Sequence, residues 1–330
     1  MPRKVQHSLL DKARAEKNDE FYTQLADIER ELRYYTGQFA GKTVLCNCDD
    51  YRISNFFKFF FDNFSKLGLK GLISVCYRDQ EMELFSENVP ERATVAEYLG
   101  DGEASDVAGR DRIVVRELSG DGDFRSDECI EILKKADIIV TNPPFSLFRE
   151  YLGQLMKYQK KFLIIGNINA ITYKEVFQLI KDNRVWLGVN LGRGISGFIV
   201  PEHYKLYGTE TKIDEFGNRI VATNNCLWLT NLDHFQRHEL IPLTKRYYGH
   251  EEEFASYDNF DGINVDNTKD IPLDYKGVVG VPITFLHKFN PAQFEIVRFR
   301  KGDDGRDLTI NGRSPYFRIL IRRRQDASAV

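Results

Sequence analysis

The sequence has little cysteine, little proline and no long hydrophobic run, and each scarcity excludes a class of protein. No apolar stretch reaches the ~18–20 residues of a membrane-spanning helix, and the first twenty residues lack the apolar block of a secretory signal. Five cysteines without a CxxC pair indicate neither a disulfide framework nor a zinc site. Ten prolines and 42% hydrophobic residues are ordinary for a folded chain, which excludes wholesale disorder. We therefore expect a cytoplasmic protein without a bound metal, and 330 residues predict about two domains.

Charge of one sign is also lacking overall, since the formal net charge is −3, but the charges are distributed unevenly. Residues 281–330 contain ten Lys and Arg against five acids, and residues 1–17 contain five against two. Residues 239–280 oppose them with nine acids against four bases. Basic ends around a near-neutral body are typical of a protein that binds phosphates on one face, although solvated surface charge explains them equally well.

Short apolar runs alternate with helical patterns over the first two thirds of the chain. Continuously apolar runs predict strands buried on both faces of a parallel sheet, and the helical segments between them predict a doubly wound α/β fold. Ligands bind at the carboxyl ends of the strands in such sheets. Gly68 is placed to end a helix, and Thr172 with Glu175 forms a capping-box pattern. The predicted strands are residues 43–46, 71–76, 112–116, 137–141, 161–166, 185–189 and 225–229, and the predicted helices include residues 21–35, 54–66 and 126–135.

The sharpest motif is Thr141-Asn142-Pro143-Pro144-Phe145, which closes the fourth predicted strand. Two consecutive prolines fix φ near −65° and prevent regular hydrogen bonding, so the loop is rigid. The Asn142 amide oxygen and a proline carbonyl can accept the two hydrogens of an exocyclic amino group, while Phe145 offers a flat face to a planar ring. The motif therefore predicts a site for an aromatic amine whose nitrogen attacks an electrophile.

This motif resembles the Asp/Asn/Ser-Pro-Pro-Tyr/Phe signature of the S-adenosylmethionine-dependent amino-methyltransferases. Longer blocks extend the likeness over nearly the whole chain and are similar to the EcoRI-type adenine-specific DNA methyltransferases. The resemblance implies a Rossmann-like, mostly parallel sheet and a site-specific enzyme of a restriction-modification system, which methylates N6 of an adenine flipped out of double-stranded DNA. The short motif alone also admits methyltransferases that act on RNA or on protein glutamine. The blocks are DEFYTQ (19–24), NCDDYRISNFFKFF (47–60), GDGDFRSDE (120–128), TNPPFSLFREYL (141–152), GNINAITYKEVF (166–177) and GVPITFLHKFNP (280–291).

The resemblance also implies roles for individual residues. Asn142, with the carbonyl of Pro143, would hold the adenine amino group. Pro144 belongs to the same rigid turn, and Phe145 would stack on the base. Thr23 of the FYT block also fits a helix N-cap. The expected contacts of the S-adenosylmethionine cofactor are Phe21, Tyr22, Thr23, Asn47, Asp49, Asp50, Asp123 and Phe124, of which Asp123 would accept from the cofactor's adenine amino group.

Two departures from the usual pattern concern the cofactor site. The loop from Cys46 to Asp50 lacks the glycines that usually let the backbone approach the cofactor. The second predicted strand ends in Cys76-Tyr77-Arg78, without the acidic residue that commonly binds ribose hydroxyls. The resemblance therefore leaves the ribose contact unassigned.

The order of the motifs predicts a catalytic, cofactor-binding domain over residues 1–232 and a smaller, irregular DNA target-recognition region over residues 233–330. Residues 201–223 are expected to be a recognition insert. We expect a monomer that acts without a membrane partner and is paired in function with a restriction endonuclease. The candidate contacts to DNA, which would hold phosphates beside the target adenine, are Lys288, Arg298, Arg300, Arg322 and Arg323.

Overall fold

The computed structural model describes residues 22–77, 93–100, 110–191, 195–200, 211–214, 217–222, 225–300, 308–315 and 317–324. The chain divides into two compact units. The first consists of Met1–Ala170 and Asn190–Leu232, and the second of Ile171–Val189 and Asp233–Val330. Within the described ranges, no helix has the length and apolar character that a bilayer crossing requires.

A mixed sheet of eight strands dominates the fold. The strands up to residue 230 are β1 (Tyr22–Thr23), β2 (Thr43–Asn47), β3 (Gly71–Cys76), β4 (Thr94–Tyr98), β5 (Val114–Glu117), β6 (Ile138–Thr141), β7 (Lys161–Asn167), β8 (Trp186–Leu191), β9 (Phe198–Val200), β10 (Thr211–Ile213), β11 (Arg219–Val221) and β12 (Cys226–Thr230). The order in the large sheet is β5-β4-β3-β2-β6-β7-β12-β8. β2 pairs in parallel with β3 and β6, and β6 pairs in parallel with β7, so the carboxyl ends of these four strands share one edge.

The parallel strands of this sheet are where the sequence predicted them, because their apolar runs are buried on both faces. Every residue of β3 and β6 is buried. The sheet is nevertheless mixed rather than mostly parallel, since β4 pairs antiparallel with β3 and β5, and β12 pairs antiparallel with β7. β4 was not predicted.

Six α-helices accompany the strands: α1 (Leu25–Leu32), α2 (Asn55–Asp62), α3 (Phe64–Leu67), α4 (Asp127–Lys135), α5 (Phe148–Lys157) and α6 (Lys174–Lys181), within the described ranges. Serine side chains cap two of them, Ser54 at α2 and Ser126 at α4. Gly68 ends α3 with a φ of 63°, as predicted. The predicted N-caps Thr23 and Thr172 are wrong, because α1 and α6 begin after Gln24 and Tyr173, neither with a side-chain cap. The 3₁₀ turns are Thr36–Gln38, Arg110–Arg112, Phe145–Leu147, Ile168–Thr172, Phe235–His238, Glu251–Glu253, Thr268–Asp270 and Ile283–Lys288.

A small antiparallel sheet in the first unit has the order β1-β9-β11-β10. Thr23 pairs with Phe198 across β1 and β9, so β1 lies against a segment that follows β8. The predicted helix over residues 21–35 is therefore shorter at its N-terminal end, because its first residues form a strand.

The second unit contains α6 and a four-stranded sheet of β13 (Ile263–Asn264), β14 (Val279–Pro282), β15 (Phe294–Arg300) and β16 (Arg318–Arg323). Its order is β13-β14-β16-β15. Phe177 on α6 stacks on Phe299 of β15 with ring centroids 4.9 Å apart. The fully buried rings of Phe285 and Phe294 lie 5.5 Å apart, so this unit has an apolar core of its own.

Candidate active site

The Pro-Pro loop lies at the carboxyl end of β6, the neighbour of β2 in the sheet. Thr141 at the end of β6 is fully buried, and the chain then leaves the sheet before a 3₁₀ turn begins at Phe145. Asn142 and Phe145 are both partly exposed, so neither is packed into the core. The Pro144 carbonyl accepts a hydrogen bond from the main-chain N–H of Leu147 at 3.1 Å, which closes the turn into α5. The loop thus places an aromatic ring and an amide, whose Oδ1 is itself buried, at the ligand-binding edge of the sheet.

The loop after β2 takes the backbone conformation that glycine favours, although it contains no glycine. Cys48 has a φ of 62°, in the left-handed region. The buried Asn47 side chain supports this turn, because its Oδ1 accepts a hydrogen bond from the main-chain N–H of Cys48 at 3.2 Å. Cys48 therefore takes the backbone conformation that a glycine would take, so this loop departs from the usual pattern in its side chain and not in its backbone at this position.

Asp49 is partly buried where β2, β3 and β6 end. The Ser54 hydroxyl donates to its Oδ1 at 2.7 Å, and its Oδ2 lies 2.7 Å from the Thr141 hydroxyl oxygen. Its main-chain N–H donates to the Val75 carbonyl at 2.9 Å, and its own carbonyl accepts from the Ser74 hydroxyl at 2.5 Å. Burial raises the pKa of Asp49 to about 7, against the opposing effect of the two hydroxyls on its carboxyl. Both carboxyl oxygens are therefore engaged by the protein itself.

Asp50 and Asp123 lie in different loops and make the same local arrangement. Each accepts from the main-chain N–H two residues ahead, that of Arg52 at 2.9 Å and that of Arg125 at 2.8 Å. Each is also held by the guanidinium of that arginine, with a shortest distance of 2.5 Å in both pairs. This hydrogen bonding lowers the pKa of Asp123, so its carboxylate is charged at neutral pH. Arg125 makes four contacts with the two oxygens of Asp123, which is about the number of hydrogen bonds that a carboxylate accepts.

The loop that carries Asp123 is fixed against the end of β3. Gly122 has a φ of 82°, and a Cβ at that position would lie 2.8 Å from the Cys76 carbonyl oxygen. Phe124 is buried, with its ring 5.0 Å from that of Tyr151 on α5. Only glycine fits between this loop and the strand, and the fit brings Asp123 to the edge where β2 also ends.

The N-terminal block and the Pro-Pro loop are linked through β9. The Thr23 hydroxyl is buried and has no hydrogen-bond partner among the residues that the structure describes. The Thr23 carbonyl accepts from the Asn55 side chain at 2.8 Å. Phe198, the strand partner of Thr23, has its ring centroid 6.0 Å from that of Phe145. Tyr22 lies beside Thr23 in β1, and Phe21 lies outside the described residues.

Sequence reasoning missed three residues of this arrangement. Ser54 could have been found, because a serine directly before an apolar helical run is an N-cap signal. Arg125 gave a weaker signal, which is only that it follows Asp123 by two residues in a loop. Phe198 gave none, since its place beside Phe145 depends on strand pairing between distant parts of the chain.

The predicted DNA contacts lie in the second unit and differ in what they touch. Lys288 and Arg298 are exposed. Arg322 is exposed and donates to Glu295 at 3.0 Å across β15 and β16. The side chain of Arg300 is outside what the structure describes.

Arg323 differs from these, because it is half-buried and its guanidinium donates to the main-chain carbonyl of Leu273. Arg318, which sequence reasoning did not select, is buried and donates to Asn264 at 2.8 Å and to Asp266 at 2.6 Å. Both arginines therefore make contacts that hold the unit together.

Comparison with known proteins gives a consistent result over the whole chain. Residues 9–324 match the family described as adenine-specific methyltransferase EcoRI. The chain is 61% identical over 325 residues to Type II methyltransferase M.EcoRI of Escherichia coli, covering 98% of this chain and 99% of that protein. It is 35% identical to M.MgeORF184P of Mycoplasma genitalium and 33% identical to M.MpnI of Mycoplasma pneumoniae, both Type II methyltransferases, each over 96% of this chain and 98% of the relative. No solved structure matches the chain.

Proposed function

The chain belongs to the EcoRI family of adenine-specific methyltransferases, and we propose that it uses S-adenosylmethionine to methylate N6 of an adenine flipped out of double-stranded DNA. Its function is site-specific DNA adenine methylation of the Type II restriction-modification class. The observation that carries the proposed site is the Pro-Pro loop, whose Asn142 and Phe145 are partly exposed at the carboxyl edge of the sheet.

The acceptor site would work by positioning. The Asn142 side-chain oxygen and the Pro143 carbonyl accept the two N6 hydrogens, which draws the nitrogen toward tetrahedral geometry and exposes its lone pair. Pro144 keeps the turn rigid, and Phe145 stacks on the base. The proton leaves after the methyl is transferred, so the attack itself needs no strong base.

The residues at the sheet edge fit the cofactor. S-adenosylmethionine supplies a methyl group activated by a positive sulfur. The buried Thr23 hydroxyl has no hydrogen-bond partner among the described residues, and the charged Asp123 carboxylate would accept from the cofactor in place of one of its contacts with Arg125. Asp49 would contribute to the cofactor site by holding its loop in place, since its carboxyl oxygens contact Ser54 and Thr141. The residues proposed to line the cofactor site are Phe21, Tyr22, Thr23, Asn47, Asp49, Asp50, Asp123 and Phe124.

The division of labour along the chain is part of the same proposal. Residues 1–232 would form a doubly wound, Rossmann-like catalytic domain, and residues 233–330, with residues 201–223 as an insert, would recognise the target sequence. The compact units divide the chain differently at one place, since residues 171–189 belong to the second unit. The exposed Lys288 and Arg298 are the strongest candidates to bind phosphates, followed by Arg322 and Arg300, whereas Arg323 holds the end of β16 to the main chain at Leu273.

The proposed partners follow from this activity. Double-stranded DNA is the substrate, and a restriction endonuclease that cuts the same sequence is the functional partner. The protein would act in the cytoplasm as a monomer, because one acceptor site suffices to modify one strand in each binding event.

The test is transfer of tritiated methyl groups from S-adenosylmethionine to random-sequence DNA, RNA and a glutamine-containing protein. We expect label in DNA alone, recovered as N6-methyladenine after hydrolysis. Asn142→Ala should abolish the transfer, while calorimetry still detects cofactor binding. Lys134→Ala, on the exposed surface of α4, is the matched control and should act as the wild type does. Near-normal turnover by Asn142→Ala, or label in RNA or protein instead of DNA, would contradict the proposal.

A further inference from the structure

The hydroxyl of Thr141, the residue directly before Asn142, lies close to two oxygens at once. One is the main-chain carbonyl oxygen of Asn47, and the other is Oδ2 of Asp49 at 2.7 Å. A hydroxyl has one proton to donate, and a carbonyl oxygen can only accept. If Thr141 donates to Asn47, its contact with Asp49 is a hydrogen bond only when Asp49 carries a proton on Oδ2.

The other carboxyl oxygen of Asp49 already has its donor. The Ser54 hydroxyl donates to Oδ1 at 2.7 Å, because its own oxygen accepts from the main-chain N–H groups of Phe56 and Phe57 at 3.1 and 3.3 Å. Oδ1 is therefore an acceptor in either state, and Oδ2 is the oxygen left for the proton. A neutral carboxylic acid satisfies every contact, whereas a carboxylate leaves Thr141 with one proton for two acceptors.

The surroundings of Asp49 favour this neutral form. Burial raises its pKa to about 7, and the arginines of the neighbouring loops, Arg52 and Arg125, are paired with other carboxylates. From α2 and β6, the groups that face it are the uncharged hydroxyls described above. Among the residues that the structure describes, the titratable groups that interact with Asp49 are Cys46, Cys48, Asp50 and Tyr151, and those around Cys48 add Cys76, Asp123 and Cys129, all neutral or negative.

We propose that Asp49 is a positioning residue that, as the neutral acid, holds Thr141 and through it Asn142 in the geometry that methyl transfer requires. The inference rests on the proposed function. Asp49 spans the cofactor loop, the start of α2 and the acceptor loop, so it connects the two halves of the active site. A displacement of about 1 Å at the acceptor loop is enough to cost on the order of 10²-fold in rate.

The proposal predicts a loss of turnover as pH rises. When Asp49 ionises, Thr141 can donate to Asn47 or to Asp49 but not satisfy both, and the acceptor loop loses one of its anchors. With DNA and cofactor saturating, wild-type kcat should therefore fall as pH rises through the pKa of Asp49.

The decisive variant is Asp49→Asn, whose amide is neutral at every pH and can donate to Thr141 while its oxygen accepts from Ser54. We expect kcat of Asp49→Asn within about threefold of the wild-type low-pH plateau and constant between about pH 6 and pH 9. Asp49→Ala and Thr141→Val, which remove one partner each, should lose about tenfold or more in kcat with little change in KM for S-adenosylmethionine. The double variant should lose no more than either single one, because the two act through one contact. Asp62→Asn, which changes an exposed acid at the end of α2, is the matched control and should keep the wild-type pH profile.

Three results would overturn the proposal: a flat wild-type profile, the wild-type fall retained in Asp49→Asn, or a loss in Asp49→Ala expressed in KM for the cofactor alone. The last would make Asp49 a cofactor contact. The melting temperatures of wild type and Asp49→Asn over the same pH range report the protonation of Asp49 independently of enzyme activity. If the wild type transferred no methyl to DNA, the proposed function would fail, but the melting temperatures would still test the protonation of Asp49. A difference in melting temperature between the two proteins that stays constant with pH would refute the neutral Asp49.

Discussion

The carboxylate of Asp27 accepts hydrogen bonds from both the main-chain N–H and the hydroxyl of Ser196, at 2.7 and 2.9 Å. The two residues are 169 positions apart in the sequence, and their contact fixes α1 to residues 195–200. Because this segment leads into β9, it sets the position of Phe198, whose ring lies next to that of Phe145. A buried acid on α1 thus supports the acceptor loop from outside the site.

Replacing Asp27 by alanine should destabilise the protein, because it removes the hydrogen bonds that join α1 to Ser196 and empties the space of a fully buried side chain. We expect a loss of about 1–3 kcal/mol in the free energy of unfolding, measured by urea denaturation. Asp62→Ala is the control, since Asp62 forms an exposed ion pair with Lys58 and should cost less than about 1 kcal/mol. Equal losses in the two variants would mean that the Asp27 contact does not stabilise the fold.

The left-handed backbone of Cys48 predicts different effects on stability for two substitutions. Cys48→Gly removes a strain of about 1–2 kcal/mol but increases the entropy of the unfolded chain by a similar amount, so stability should change little. Cys48→Val keeps the left-handed requirement and adds a β-branch, which should cost more than about 1 kcal/mol. Denaturant unfolding of both variants measures the difference, and a valine variant as stable as the glycine variant would contradict the strained turn.

Gly122 and Gly120, two residues apart in one loop, should respond very differently to alanine. A Cβ at Gly122 would lie 2.8 Å from the Cys76 carbonyl in a backbone with φ of 82°, whereas a Cβ at Gly120 would meet nothing within 4 Å. We expect Gly122→Ala to cost about 2 kcal/mol or more and to weaken cofactor binding in calorimetry, because the loop must move away from β3. Gly120→Ala should leave both measurements near wild type. Similar binding by the two variants would show that the close approach at Gly122 does not shape the cofactor site.

The parallel core of the fold could be predicted because each of its strands can be recognised from its own residues. The predicted strand at residues 71–76 has the bounds of β3, and that at residues 43–46 is one residue shorter than β2. A run of apolar residues buried on both faces needs no knowledge of its neighbours. β1 and β9, with two and three residues, are too short to show any periodicity, and their pairing is decided by tertiary contacts.

The candidate site shows the same division. Asn142 and Phe145 could be selected from the Pro-Pro motif, because proline dictates the backbone around it. That Ser54 and Thr141 hydrogen-bond to Asp49 could not be predicted, since they reach it from different elements, although Ser54 itself carries an N-cap signal. Its side chain was expected to contact the cofactor, and only the structure shows both of its oxygens hydrogen-bonded within the protein.

The raised pKa of Asp49 makes a prediction about stability that is separate from turnover. An acid whose pKa is higher in the folded than in the unfolded protein binds its proton more tightly in the folded state. The protein therefore loses stability as pH rises between the two pKa values. For Asp49, the pKa is 3.8 in the unfolded chain and about 7 in the folded protein. The free energy of unfolding of the wild type should therefore fall relative to Asp49→Asn from about pH 4 to about pH 7, by up to about 4 kcal/mol, and change no further above that range. Urea denaturation at a series of pH values measures it, and a wild type that gains on the variant with rising pH would mean that Asp49 is stabilised as a carboxylate.

The arginines and lysines of the second unit should separate into those that bind DNA and those that hold the fold. Lys288→Ala and Arg298→Ala remove exposed charges, so each should weaken DNA binding and reduce the slope of log K against log salt by about one, with little effect on stability. Arg323→Ala should instead lower the melting temperature, because its guanidinium donates to the Leu273 carbonyl between two segments of the unit. Fluorescence anisotropy at several salt concentrations and thermal unfolding of all three variants test this together. If Arg323→Ala had the largest effect on the salt slope and a wild-type melting temperature, its assignment as a structural residue would be wrong, and β16 would have to present that side chain to DNA.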